Sequence, residues 1–113
     1  MNNNTILVFT HNGLGAAPAE LQQKLALKFL QLNLDANLLP AKILFYTEGV
    51  KLACEGSPVI GELKAMQDRG AELILCSTCL DYFSIRDNVQ VGIVGGMPDI
   101  IEAMSAAQKV ISL

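Results

Sequence analysis

The sequence predicts an α/β three-layer sandwich: a mostly parallel sheet of about five strands with helices on both faces. Three observations carry this expectation. Short runs of strand-forming residues recur along the chain, stretches of helix length separate them, and the runs are apolar throughout instead of alternating, as strands covered on both faces require. With 113 residues, of which 51% are hydrophobic and 17% charged, the chain reads as one domain spanning 1–113 with a single core.

Thr5 to Thr10 is the first strand, and His11-Asn12-Gly13-Leu14-Gly15 its exit loop, where glycines and an asparagine permit a tight turn or a close approach to a ligand. A helix follows from Pro18, since proline suits a first helical turn and Glu20 suits the positive end of the macrodipole. Leu21, Leu25, Phe29 and Leu32 recur at helical spacing and form its predicted core stripe. Leu27, Leu30 and Leu34 fall outside that stripe and predict a second apolar surface, open to a neighbouring subunit. The segment from Asn33 to Pro40 closes the helix. Lys42 to Tyr46 is the second strand, ending in a turn at Thr47-Glu48-Gly49-Val50. Ser57-Pro58 opens a second helix, the hydroxyl capping free amides ahead of the proline, with Val59, Ile60 and Leu63 on one face and Gly70 as its stop. Ala71 to Leu75 is the third strand, and it runs into the polar segment Cys76-Ser77-Thr78-Cys79. Val91 to Val94 is a short fourth strand, Pro98 to about Ala107 a last helix begun by Asp99 and Glu102, and Val110 to Leu113 an edge strand. Right-handed crossovers place such helices outside a parallel sheet, so the arrangement is a small flavodoxin-like or Rossmann-like sandwich with its strand order left open.

Composition narrows the function. Eight basic residues against eleven acidic ones give a formal charge of -3 with no Lys/Arg block, so no nucleic-acid partner is expected. No apolar run approaches the roughly 18 residues that span a bilayer, and Met1-Asn2-Asn3-Asn4 lacks the basic start of a signal peptide. A cytoplasmic protein without membrane association is the expectation. Neither glycine-bearing segment carries a phosphate fingerprint: His11 to Gly15 lacks GxGxxG, and Gly92, Gly95 and Gly96 do not precede a Walker lysine and hydroxyl. No cofactor is expected.

The three cysteines are an odd set, leaving at least one outside any intramolecular disulfide and suiting a reducing compartment. In a parallel sheet the strand exits share one edge, where ligands bind in such folds. His11 follows the first strand, Cys54 the second, and Cys76 ends the third, so with Cys79 they are predicted to surround one crevice. Cys76 is the foremost candidate for a nucleophilic or sulfur-carrying thiol, because a strand-end loop can expose it and nearby amides can favour its thiolate. Cys79, within one turn, could form a disulfide with it, resolve a persulfide or relay sulfur. Zinc on Cys54, Cys76, Cys79 and His11 is chemically conceivable, but only one pair has knuckle spacing and the chain has enough apolar residues to build a core unaided. No metal is expected. His11 could act as an acid or base, with a structural histidine as the plainer reading. Glu48, Glu55 and Asp81 read as solvated turn carboxylates, and Tyr82 and Phe83 as core packing, a crevice wall or a subunit contact.

Three segments occur in order: Thr47-Glu48-Gly49-Val50-Lys51-Leu52 with Glu55-Gly56-Ser57, then Cys76-Ser77-Thr78-Cys79-Leu80-Asp81-Tyr82, then Val91-Gly92 with Met97 and Asp99-Ile100. Through them nearly the whole chain resembles the DsrE/DsrF-like sulfur-relay domains, most closely the carboxyl-terminal domain of the YedF-like selenium-metabolism proteins, described as sulfurtransferase-like. The resemblance implies a flavodoxin-like fold, a homo-oligomer (dimer, trimer or hexamer in various relatives), and a thiol near the end of the third strand that carries persulfide sulfur. By position that role falls to Cys76. Cys79 belongs to the narrower subfamily's pair, and Cys54 is an additional thiol. YedF-like relatives carry an upstream TusA-like domain with a Cys-Pro motif that this sequence does not contain, so a TusA-like carrier or another thiol protein is an expected partner. The expected function is sulfur relay or transfer, with selenium as an analogue. The alternatives are a noncatalytic assembly or regulatory domain, and a thiol redox protein working through Cys76 and Cys79.

Overall fold

A computed structural model describes residues 4–113. Five strands, β1 (Thr5–Phe9), β2 (Lys42–Phe45), β3 (Glu72–Cys76), β4 (Ile93–Gly95) and β5 (Lys109–Ser112), form one sheet in the order β4-β3-β2-β1-β5. All the pairings between them are parallel. Four α-helices connect the strands: α1 (Ala19–Asp35), α2 (Ile60–Asp68), α3 (Ser77–Tyr82) and α4 (Met97–Ala106), with 3-10 segments at Thr47–Ala53 and Arg86–Asn88. The fold class read from the sequence is the one observed. Two local readings change. The expected turn after β2 is a 3-10 segment of seven residues, and the polar segment after β3 enters a helix at once.

Register and alternation assign the two faces. Leu7, Phe9, Ile43, Phe45, Leu73 and Leu75 lie level with one another on one face; Ile6, Val8, Leu44, Ile74 and Cys76 line the other. From β1 to β4 the chain steps in one direction, then returns past the whole sheet to β5, and the right-handed rule puts α4 opposite α1 and α2. Gly95 shows α4 on the second face, since a Cβ there would meet Ile74 at 2.8 Å and Asp99 of α4 at 3.1 Å. On the first face Phe9 and Phe45 stack with centroids 5.7 Å apart. All five residues of β1 are buried, which explains its unbroken apolar run.

The core stripe of α1 differs from the one expected. Ala26, Leu30 and Asn33 are buried, whereas Leu21, Leu25 and Leu32 are exposed and Phe29 is only partly covered. A leucine-rich helix carries two apolar rows, and spacing alone does not decide which one meets the sheet. Small Ala26 allows close approach, and Asn33 is tolerated inside because its Nδ2 donates to the Phe29 carbonyl at 2.7 Å. Apolar side chains also remain exposed along the β4 edge: Ile93, Val94, Met97 and Ile101. Among the described residues no helix is long and apolar enough to cross a membrane.

Candidate active site at the end of the third strand

The carboxyl edge of the sheet is built on three residues. β3 ends at Cys76, whose extended backbone makes it the N-cap of α3, so strand passes to helix without a loop. Short polar Ser77 and Thr78 suit that first turn. At the far end of α3, Arg86 clamps Asp81 through paired bonds of 2.7 and 2.8 Å, and its guanidinium holds the Asp81 carboxyl below the usual carboxylate range. The helix is short, and this clamp fixes its exit.

Over this turn lies the 3-10 segment Thr47–Ala53. Gly49 seats it on the end of β1, where an added Cβ would stand 2.0 Å from the Phe9 carbonyl oxygen. Thr47 adopts φ +50°, a left-handed conformation that a β-branched residue rarely takes and that costs about 1–3 kcal/mol. Its hydroxyl holds that conformation by donating to the Thr10 carbonyl at 2.6 Å. The result is an amide aimed at a thiol: Thr47 N–H donates to Cys79 Sγ at 3.1 Å.

Cys79 is half-buried and opens into a crevice of about 300 Å³ lined by Thr47, Glu48, Thr78, Cys79, Tyr82 and Phe83. Lys51 bounds it from behind, its Nζ 2.6 Å from Glu48 and 4.3 Å from the centre of the Phe83 ring. Tyr82 stands free at 82% exposure and meets Phe83 edge-on. Burial pushes the Cys79 thiol up from its ordinary range, and its hydrogen bond with Cys76 pushes the same way; the Thr47 amide opposes both without reversing them. The resting group is a thiol, its developing charge already provided with a donor.

Of the residues singled out in the sequence, Cys76 and Cys79 are brought together, but their exposures are the reverse of the expectation. Cys76 is 1% exposed on the α4 face of the sheet, and Cys79 reaches the crevice. Cys54 stands apart. It is buried at the end of the 3-10 segment, donates to the Val50 carbonyl at 3.3 Å, and burial pushes its thiol up. It borders a different, more polar cleft of about 260 Å³ with Asn12, Lys51, Glu55 and Asn88. His11 is tied instead to the other edge of the sheet, its Nδ1 3.0 Å from Thr10 Oγ1 and 3.4 Å from the Leu113 carbonyl. That position is where the strand order switches between β1 and β5, the point at which a ligand was expected; the thiols lie at β3 instead. Among the described residues no group of three or more His, Cys, Asp or Glu is placed to hold a metal. The sequence reading assigned no role to Thr47 or Lys51, because a positive φ at threonine and a cation over a distant ring have no signature in local sequence.

The sequence model of the DsrE/DsrF-like family matches residues 6–113. No curated protein sequence matches the chain significantly. Among solved structures, the ychN protein from E. coli superposes with a TM-score of 0.71 at 18% identity, covering 97% of this chain and 99% of its own. MTH1491 from Methanobacterium thermoautotrophicum, a protein of unknown function, gives 0.69 at 17% identity over 96% and 97% of the two chains. BT1422 from Bacteroides thetaiotaomicron, also of unknown function, gives 0.69 at 15% identity over 98% and 96%. These likenesses establish a shared fold over the full length of each chain.

Proposed function

This chain belongs to the DsrE/DsrF-like family, which is associated with sulfur relay, and we propose that it carries sulfane sulfur as a persulfide on Cys79. The observation that carries this choice is a reachable sulfur with its own donor: Cys79 opens to the crevice and receives the Thr47 amide at 3.1 Å. Cys76, the position the resemblance favours, lies beneath it and is closed to a docking partner.

In the transfer, Cys79 sulfur attacks the outer sulfur of an incoming persulfide R–S–SH. A new S–S bond forms at Cys79, the donor's S–S bond breaks, and R–SH leaves with the thiol proton of Cys79. A thiol raised above its model value of 9.0 has under about 1% thiolate at pH 7, so proton loss accompanies attack. The Thr47 amide supports the charge as it develops, since hydrogen bonds to charged acceptors are the stronger ones. The open crevice, walled by Tyr82 and Phe83, suits a protein segment bearing a cysteine, and a TusA-like carrier is the proposed donor or acceptor.

The finer kinship with the carboxyl-terminal domain of YedF-like proteins belongs to this proposal. It rests on Thr47 to Leu52 and Cys76 to Tyr82, segments that supply every crevice residue except Phe83. Selenium in place of sulfur would use the same two contacts. The exposed apolar residues along the β4 edge support a homo-oligomeric assembly, and three free thiols support a reducing, cytoplasmic setting.

The test is intact mass after exposure of the Cys76→Ala chain to inorganic polysulfide. A gain of about 32 Da, one sulfur atom, mapped to Cys79 and absent in Cys79→Ser, is the expected result. Uptake at Cys54, or none at all, would reject the proposal.

A further inference from the structure

Resting on that reading, we infer that Cys76 is a resolving thiol: in the absence of an acceptor it discharges the Cys79 persulfide as sulfide and closes a Cys76–Cys79 disulfide. The argument begins with position. Cys76 is the N-cap of α3, and Cys79 is its third helical residue. Those two positions reach across to each other at any helix start, which is why polar residues placed there form reciprocal caps. Cysteines at both positions put two sulfurs where a cap would form, and the two thiols are indeed hydrogen-bonded. Residues three apart in a helical turn are about 5–6 Å apart, within the span a disulfide bridges.

Accessibility fixes the direction. Cys76 is 1% exposed, enclosed by the sheet and α3, so no external donor or acceptor meets its sulfur. The sulfur it can attack is the one that Cys79 brings. Cys54 does not compete, since its thiol is engaged with the Val50 carbonyl and borders a different cleft. The crevice therefore holds one outward thiol that receives cargo and one inward thiol that can act only on that cargo.

The step balances within the chain. Cys76 sulfur attacks Cys79 Sγ, the Cys76–Cys79 bond forms, and the bond from Cys79 to the outer sulfur breaks. That outer sulfur leaves with the bonding pair and the Cys76 proton as HS⁻. The two cysteines are oxidised to a disulfide, the sulfane sulfur is reduced to sulfide, and no outside oxidant is needed. An acceptor that engages Cys79 first takes the outer sulfur and leaves both thiols reduced. The pair thus sets a time limit on unclaimed cargo.

A time course tests this on the full chain, after one addition of inorganic polysulfide without reductant or oxygen. In the wild type a species about 32 Da heavier is expected first, then one about 2 Da lighter than the starting chain, carrying the Cys76–Cys79 disulfide, with one equivalent of sulfide released. In Cys76→Ala the persulfide is expected to persist at least about tenfold longer. A wild-type persulfide as long-lived as that of the variant, with no disulfide, overturns the inference and leaves the carrier reading standing. Sulfur recovered on Cys76 also overturns it. Absence of any sulfur uptake in both chains sinks the carrier reading itself. Should Cys76→Ala fail to fold by circular dichroism, the order of species in the wild type decides alone.

Discussion

Gly49→Ala probes the joint that aims the Thr47 amide. An alanine Cβ at this position would lie 2.0 Å from the Phe9 carbonyl oxygen and 2.6 Å from its carbon. Both backbones are buried, one in the central strand β1 and the other in the 3-10 segment, so neither yields cheaply. Relief requires the segment to lift by about an ångström, an overpacking strain of about 1–3 kcal/mol. Lifting also stretches the bond from Tyr46 N–H to the Phe9 carbonyl, already 3.2 Å, for about 1 kcal/mol more. A total near 3 kcal/mol lowers the melting temperature by about 10–20 °C in a chain of this size. Thr47 is two residues away, so the same displacement withdraws its amide from Cys79. A bond to a charged sulfur is worth roughly 1.5–3 kcal/mol, so alkylation of Cys79 at pH 8 is expected to slow about tenfold. Urea unfolding and iodoacetamide kinetics followed by peptide mapping read the two effects. Gly61→Ala is the control: nothing lies within 4 Å of its Cβ position, it sits in α2, and about half a kcal/mol of stabilisation is expected there. Gly49→Ala unfolding within 1 kcal/mol of wild type, with unchanged alkylation, would refute the reasoning.

Three further outcomes are expected. In the native chain iodoacetamide modifies Cys79 while buried Cys54 and Cys76 stay protected, and the Cys79 rate continues to rise beyond pH 9, above which burial has raised its thiol; preferential labelling of Cys76 would contradict this. Cys54 and Cys79 both titrate higher folded than unfolded, so the unfolded chain loses these protons first. Stability is therefore full below about pH 8.5, the unfolded thiol value, and falls as pH rises toward the folded values. A urea midpoint that increases from pH 7.5 to 9.5 would be the wrong sign. Ile93→Asp combined with Ile101→Lys, both exposed on the apolar β4 edge, is expected to lower the solution mass of any assembly to that of a single chain while leaving helix content unchanged; light scattering checks it.

Much of the fold was legible because buried parallel strands leave continuous apolar runs, and those at Thr5–Phe9, Lys42–Phe45 and Glu72–Cys76 are of that kind. The α1 stripe was misread because Leu21, Leu25 and Leu32 keep helical spacing as faithfully as the residues that turn inward. The site was half legible. Chain order placed Cys76 and Cys79 together at the carboxyl edge, but which sulfur faces out depends on the alternation of β3 continuing straight into α3, and that follows from the absence of a loop. Thr47 was silent for another reason. Its role comes from a left-handed backbone stabilised by a hydroxyl bond to Thr10, a contact spanning 37 positions.

Rapid trapping of the wild-type chain bears most directly on the central claim. The protein is mixed with inorganic polysulfide, quenched within seconds by an alkylating agent that captures persulfides, and digested for peptide mapping. Alkylated persulfide on Cys79, with Cys76 and Cys54 free of added sulfur at the earliest times, is the result this account expects. First appearance of the label on Cys76 would contradict it.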